Sequence, residues 1–178
     1  IIIILVGRMI WSKGVKEFVD AAHILSNDFP YLKFLLVGAE EKCNYDSIPS
    51  EYLLNLVNYN YIRWTGFRTD IPNLYALSTI AVLPSYYKEG GYPRGITEPM
   101  SMEKPVIAAN TIDCSLAISD KEDGLLVNPQ DSEDLVSKIK YLLNNQSEMY
   151  EISKKARTKI LNEFDEKKII KGLIAELY

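Results

Sequence analysis

Histidine and cysteine are scarce in this 178-residue chain, which holds one histidine, His23, and two cysteines, Cys43 and Cys114. A zinc site or a disulfide framework needs several such residues at characteristic spacings, so the sequence predicts neither. Two isolated cysteines are typical of a protein of the reducing cytoplasm. His23 falls within a helical pattern, which favours a packing or surface role over that of a general base.

A long apolar segment and an excess of positive charge are also missing. The longest apolar run, Ile1 to Val6, is far shorter than the roughly 20 residues of a membrane-spanning helix, and no secretory signal surrounds it. Twenty Lys and Arg stand against 24 Asp and Glu, which leaves a net charge of −4. No global positive field is available to attract nucleic acid, so any anion must be held by a local site.

Several ligand-binding motifs are absent as well. The chain has no Gly-Lys-Ser/Thr P-loop and no G-x-G-x-x-G turn after its first strand, which disfavours NTPases and ordinary dehydrogenases. It also has no Asp-x-Asp triplet, a pattern that can hold a divalent metal ion. A phosphate-receiver domain would need acidic residues at its strand ends, where strand one offers Arg8 instead.

Apolar runs alternate with helical patterns along the chain. Strands are predicted over Ile1–Gly7, Leu32–Val37, Tyr61–Gly66, Thr79–Leu83, Val106–Ala108 and Leu125–Val127. Helices are predicted from Val15, over Ser50–Val57, from Asp70, over Gly95–Met102, from a cap at Asp131, and in two stretches up to Tyr178. This alternation predicts a single α/β domain: a Rossmann-like, doubly wound, mainly parallel sheet of about six strands flanked by helices. Ligands bind such sheets beyond the carboxyl ends of the strands.

Positive charge follows the first predicted strand. Gly7 and Arg8 end the strand, and Ser12, Lys13 and Gly14 lead into the next helix. A guanidinium, an ammonium group and the amino terminus of a helix can together bind phosphate. A solvated Arg and Lys in an ordinary loop is the alternative for this pair taken alone.

A glycine-rich turn follows the fourth predicted strand. Gly90 and Gly91 allow a ligand to approach the backbone closely, and the Gly95–Thr97 stretch offers N–H groups at a helix start. The flanking carboxylates, Glu89 and Glu98, are better suited to hydroxyl groups than to phosphate. A surface position for Glu89 and a favourable helix-dipole position for Glu98 are the alternatives.

These motifs occur in an order that resembles the carboxy-terminal, donor-binding domain of GT-B glycosyltransferases of family 4, also called group 1. The resemblance covers almost the whole chain. The matching motifs are Gly7-Arg8, Lys13-Gly14, Val37-Gly38, Gly66-Phe67, Leu83-Pro84-Ser85, Glu89-Gly90, Glu98-Pro99-Met100, Lys104-Pro105-Val106-Ile107 and Asp123-Gly124-Leu125-Leu126-Val127.

The resemblance implies a role for each matching position. Arg8 and Lys13 are expected to neutralise the donor diphosphate, Glu89 to contact the transferred sugar, and Glu98 to hold the ribose; Arg8, Lys13 and Glu89 are the implied catalytic residues. Backbone near Phe67 and Arg68 is expected to meet the base. The implied donor-binding residues are Gly7, Phe67, Arg68, Gly90, Gly91, Arg94, Gly95, Ile96, Thr97 and Glu98. The implied reaction is sugar transfer with retention from a nucleotide-diphosphate sugar, without a separate cofactor.

Two departures from the family pattern stand out. Eight residues separate Glu89 from Glu98 where the family usually has seven, and the extra residue is placed in the Gly90 to Tyr92 turn. Asp113 stands where many relatives have glycine, and Leu116 where they often have an acid.

Whole-protein properties follow from the resemblance too. The chain begins abruptly at an apolar strand, and an amino-terminal, acceptor-binding domain is expected outside residues 1–178. A glycan, lipid-linked or polysaccharide acceptor is implied, and a lipid-linked one would bring the enzyme to the inner face of the membrane. The alternatives are a sugar-nucleotide epimerase or phosphorylase of the same two-domain plan, and a non-catalytic α/β binding module.

Overall fold

A computed structural model describes residues 1–41 and 44–168, together with 170 and 174. Its strands are β1 (Ile2–Val6), β2 (Lys33–Val37), β3 (Ile62–Trp64), β4 (Ile80–Leu83), β5 (Val106–Ala109) and β6 (Leu125–Val127). Its α-helices are α1 (Val15–Asp28), α2 (Ser50–Asn55), α3 (Ile71–Leu77), α4 (Arg94–Ser101), α5 (Ile112–Ala117), α6 (Ser132–Asn144) and α7 (Gln146–Glu163). Short 3₁₀ turns occur at Trp11–Lys13 and Leu56–Asn58.

The described strands form one parallel sheet in the order β3-β2-β1-β4-β5-β6. The strand order reverses beside β1, which pairs with β2 on one side and with β4 on the other. The loops after β1 and β4 therefore leave the sheet next to each other, at the switch point where such sheets bind ligands. The predicted doubly wound fold is confirmed.

The sheet is covered by helices on both faces because its strands carry apolar side chains on alternate sides. In β1, Ile3 and Leu5 pack with α1 and α6, whereas Ile4 packs with α3, α4, α5 and α7. The six predicted strands are all present, and the predicted Asp131 cap is confirmed by its side chain, which accepts a hydrogen bond from the Asp134 amide at 2.9 Å. Helix α5 had no counterpart in the sequence prediction, and most of the helical stretch predicted to end at Tyr178 lies outside the described residues.

Candidate functional site

The loops after β1 and β4 are joined by hydrogen bonds. The Ser12 carbonyl accepts from the amides of Tyr86, at 2.9 Å, and Tyr87, at 3.0 Å. Gly14 has a φ of +75°, and a Cβ atom added there would lie 2.3 Å from the Pro84 carbonyl oxygen, so only glycine allows this approach. The two predicted anion-binding loops therefore meet in space.

A cavity of about 710 Å³ opens where these loops meet, at the carboxyl edge of the sheet. Nine of the predicted site residues line it: Gly7, Arg8, Lys13, Phe67, Arg68, Glu89, Arg94, Gly95 and Glu98. The apolar side chains of Val6, Val37 and Leu83 also contribute to the wall. An apolar cavity with a few converging charged groups is the usual form of a small-molecule site.

Two predicted amide donors are occupied by the protein itself. The amides of Ile96 and Thr97 donate to the Pro93 carbonyl at 2.9 and 3.1 Å. Helix α4 starts at Arg94, one residue before the predicted start, so these amides already belong to its first turn. The free amides at this helix start are those of Arg94 and Gly95, which donate to no group among the described residues.

Lys13 and Glu89 form a buried ion pair inside the cavity. The Lys13 ammonium nitrogen lies 2.5 Å from both carboxylate oxygens of Glu89, and each side chain is 10% exposed. The Ser85 hydroxyl donates a further hydrogen bond to Glu89 at 2.7 Å. A buried pair of this kind is tolerated only when hydrogen bonds of good geometry compensate for lost hydration, as they do here.

Arg8 forms a more open ion pair at the rim. Its guanidinium lies 3.0 Å from both carboxylate oxygens of Glu41, and the two side chains are 45% and 34% exposed. The neighbouring Tyr87 is the main cause that raises the pKa of Arg8, and Glu41 raises it further. Arg8 therefore stays fully charged and could exchange Glu41 for another anion.

Tyr87 was not among the predicted site residues, yet it contacts both cations. Its ring centroid lies 5.0 Å from the Arg8 guanidinium carbon and 5.2 Å from the Lys13 nitrogen. An aromatic face at this range attracts a cation. Its position two residues before Glu89 could have indicated a place in the site. The chain has twelve tyrosines, however, and this one could not be singled out from the sequence.

Glu98 also lines the cavity, as does the buried phenol of Tyr75. The Arg94 guanidinium binds Glu98 from one helical turn away, with its Nε 2.8 Å from Oε1. Tyr75, only 1% exposed, also lines the cavity, and its hydroxyl has no hydrogen-bond partner in the described part of the chain. Burial raises the pKa of Tyr75, so this hydroxyl keeps its proton and can donate.

Phe67 and Arg68 form another part of the cavity lining, in the loop after β3. The Phe67 side chain is 73% exposed, which leaves its ring free to stack on a planar ligand. The Arg68 guanidinium binds the Asp70 carboxylate at 2.7 and 2.8 Å and lowers the pKa of Asp70. Of the four glycines predicted to bind the donor, Gly7 and Gly95 line the cavity, whereas Gly90 and Gly91 do not.

Four cations and two carboxylates line one cavity at the strand ends of this Rossmann-like domain, an arrangement that suits an anionic, hydroxyl-bearing ligand. The family model for group 1 glycosyl transferases matches residues 1–145. The chain therefore belongs to the group 1 glycosyltransferases, and the resemblance drawn from its motifs is confirmed.

Named relatives support this membership. The chain is 33% identical over 177 residues to the N,N'-diacetylbacillosaminyl-diphospho-undecaprenol alpha-1,3-N-acetylgalactosaminyltransferase of Campylobacter jejuni, covering 99% of this chain and 43% of the relative. It is 28% identical over 172 residues to the UDP-Gal:alpha-D-GlcNAc-diphosphoundecaprenol alpha-1,3-galactosyltransferase of Escherichia coli, covering 90% and 41%. The crystal structure of Anabaena HepE in complex with UDP superposes with a TM-score of 0.88 at 25% identity, covering 99% and 48%.

The chain thus spans less than half the length of these relatives. Within the residues that the structure describes, no helix combines the length and the apolar character needed to cross a bilayer.

Proposed function

We propose that residues 1–178 form the donor-binding domain of a retaining glycosyltransferase that uses a nucleotide-diphosphate sugar. One observation carries this proposal: Arg8, Lys13, Glu89 and Glu98 all line one cavity at the switch point of the sheet. Cations suited to a diphosphate and carboxylates suited to hydroxyl groups are both present, as a nucleotide sugar requires.

The cations would act on the leaving group. Negative charge grows on the diphosphate as the bond to the sugar breaks, and Arg8, Lys13 and the free amides of Arg94 and Gly95 would stabilise that charge. Arg8 would exchange Glu41 for a phosphate oxygen, which is inexpensive because that pair is half exposed. Lys13 would keep its contact with Glu89 and would use its other N–H donors to bind the second phosphate of the diphosphate.

The carboxylates would orient the two sugar rings of the donor. Glu89 is fixed by Lys13 and Ser85, so it can accept hydrogen bonds from the transferred sugar at a defined position. Glu98 would hold the ribose once Arg94, which is largely exposed, turns away. Phe67 and the backbone beside Arg68 would contact the base.

The relatives point to the kind of donor and acceptor. The two named transferases carry diphospho-undecaprenol acceptors in their names, one of them also names UDP-Gal, and HepE was solved with UDP. We therefore propose a UDP-sugar donor and a lipid-linked glycan acceptor. The acceptor would be held by an amino-terminal domain, in an enzyme that works in the cytoplasm at the inner face of the membrane.

Calorimetry with UDP, GDP, ADP and the corresponding nucleotide sugars tests the proposal. We expect UDP to bind, and Arg8→Ala or Lys13→Ala to weaken binding by about tenfold or more, because each removes a charge-assisted interaction. Lys16→Ala removes the same charge from an exposed position outside the cavity and is expected to leave binding unchanged. Failure of every nucleoside diphosphate to bind would contradict the proposal.

Product analysis of the enzyme with both domains separates transfer from the related reactions. A glycosyltransferase yields a glycosylated acceptor and a nucleoside diphosphate. An epimerase would yield an isomeric sugar, and a phosphorylase would consume phosphate or release a sugar phosphate.

A further inference from the structure

The turn that carries Glu89 has few ties to the rest of the protein. Within the described residues, no backbone amide or carbonyl of residues 88–92 is hydrogen-bonded to another backbone group. Cβ atoms added at Gly90 or Gly91 would meet nothing within 4 Å, so the turn is open on its outer side. Lys13 and Ser85 bind the Glu89 side chain, but the backbone of the turn needs a restraint of its own if that side chain is to keep its position.

Asp113 supplies such a restraint from the next strand-to-helix loop. The Gly90 amide donates to Asp113 Oδ2 at 3.0 Å, across 23 residues of sequence. Asp113 lies in the first turn of α5, directly after β5, and β5 is the sheet neighbour of β4. The contact therefore connects the turn after β4 to the adjacent element.

The charge on Asp113 is matched to this turn. Its pKa is lowered chiefly by the Gly90 amide, with the amides of Glu89 and Gly91 contributing, so the group is a carboxylate at neutral pH. Gly90 and Gly91 have φ values of +75° and +125°, which other residues rarely adopt, so glycine allows the turn that brings the Gly90 amide to Asp113. A side chain without an oxygen acceptor at position 113 would leave the Gly90 amide without its partner.

We propose that Asp113 is a positioning residue for the donor site: it holds the turn at residues 89–91 and thereby keeps Glu89 in place against Lys13. The inference rests on the proposed function, because Glu89 is the group meant to contact the transferred sugar. It also links the two departures from the family pattern. The resemblance implies an extra residue in this turn and an aspartate where many relatives have glycine, and in this proposal that aspartate binds the longer turn.

Binding of UDP, UDP-galactose and UDP-N-acetylgalactosamine to Asp113→Gly tests this role. Glu89 serves the sugar rather than the nucleoside, so we expect affinity for the UDP-sugar to fall about tenfold, and affinity for UDP to change little. If Asp113 served stability alone, Asp113→Gly would weaken the binding of UDP and of the UDP-sugars equally, or would weaken neither. Ser115→Ala, on the same helix with its hydroxyl bonded to Ile112, is the matched control.

Asp113→Asn serves as the conservative variant. It keeps an oxygen acceptor but loses the charge, so we expect an intermediate loss of UDP-sugar affinity. Circular dichroism and thermal melting establish that each variant is folded. If Asp113→Gly does not fold, the comparison between Asp113→Asn and wild type decides the question by the same ratio of affinities.

Deletion of Gly91 completes a double-mutant cycle. The deletion restores the seven-residue spacing, and we expect it to weaken UDP-sugar binding in the wild-type chain but to restore binding when combined with Asp113→Gly. Additive losses in the double variant, or an unchanged ratio of UDP-sugar to UDP affinity in Asp113→Gly, would overturn the inference. If wild-type protein bound neither UDP nor a UDP-sugar, the proposed function itself would fail instead.

Discussion

Two of the ion pairs at the cavity, Lys13–Glu89 inside it and Arg8–Glu41 at its rim, differ mainly in how far they are buried. The Lys13–Glu89 pair is 10% exposed on both sides and is supported by Ser85. The Arg8–Glu41 pair is 45% and 34% exposed. Charges that are out of water are strongly coupled, whereas exposed charges exchange partners at little cost. The inner pair is therefore part of the scaffold, and the outer one is the part that a ligand can rearrange.

The largest expected effect comes from breaking the inner pair. Lys13→Met leaves the Glu89 carboxylate buried without its cation, so we expect the free energy of unfolding to fall by about 3 kcal/mol, measured by urea denaturation. The double variant with Glu89→Leu removes both charges and is expected to regain most of that loss. Lys16→Met, which breaks an exposed pair, should cost about 0.3 to 0.5 kcal/mol. If Lys13→Met lowered the free energy of unfolding no more than Lys16→Met does, the distinction between buried and exposed pairs would be contradicted.

Tyr87 contacts both cations, and its removal tests whether they act together. We expect Tyr87→Leu to weaken UDP binding about tenfold, because its contacts with both cations are lost. Tyr87→Phe keeps the ring and should show a smaller loss. Calorimetry measures both, and wild-type affinity in Tyr87→Leu would refute a positioning role.

Glu17 offers a contrast to Glu89, since it is a buried carboxylate without a cation. Its Oε2 has no hydrogen-bond partner among the described residues, and burial raises the pKa of Glu17. A raised folded-state pKa means that the ionised group destabilises the fold at neutral pH, and that this penalty disappears as the pH falls below the unfolded-state pKa of about 4.3.

We therefore expect Glu17→Gln to raise the free energy of unfolding at pH 7 by about 1 kcal/mol, and by much less at pH 4. Urea denaturation at the two pH values measures the difference. Glu51→Gln, at an exposed position in α2, is the control. Equal stabilisation at both pH values would show that the charge of Glu17 is not responsible.

The smallest effect is expected at the outer pair. Glu41→Gln frees Arg8, so UDP affinity should rise about two- to fivefold while stability changes by less than about 0.5 kcal/mol. Calorimetry and urea denaturation measure the two quantities. Weaker binding in this variant would mean that Glu41 holds Arg8 ready for the ligand rather than competing with it.

All six strands could be predicted because each is a short run of mainly apolar residues. Helix α5 was missed because six residues, among them Ile112, Cys114 and Ser115, carry neither a strong helical preference nor a clear period. The start of α4 was placed one residue late. Pro93 takes an extended conformation as its cap, which brings Arg94 into the first turn and consumes the Ile96 and Thr97 amides.

Some residues of the candidate site could likewise be predicted from the sequence, and others could not. Arg8, Lys13, Glu89 and Glu98 could be predicted because they follow strands whose carboxyl ends share one edge of the sheet. Glu41, Tyr75 and Tyr87 could not, because each depends on where a side chain from another segment ends up in space.

The alternation of strands and helices can be read from the amino-acid sequence, and with it the edge of the sheet where the charged loops gather. Local patterns carry this information, because burial on both faces of a parallel sheet requires apolar runs at regular intervals. The three-dimensional arrangement was needed to show which charges pair inside the cavity, which pair at its rim, and that Asp113 reaches the turn beside Glu89. Those partnerships depend on distances of a few ångströms between residues far apart in the chain, and on the burial that makes such distances matter.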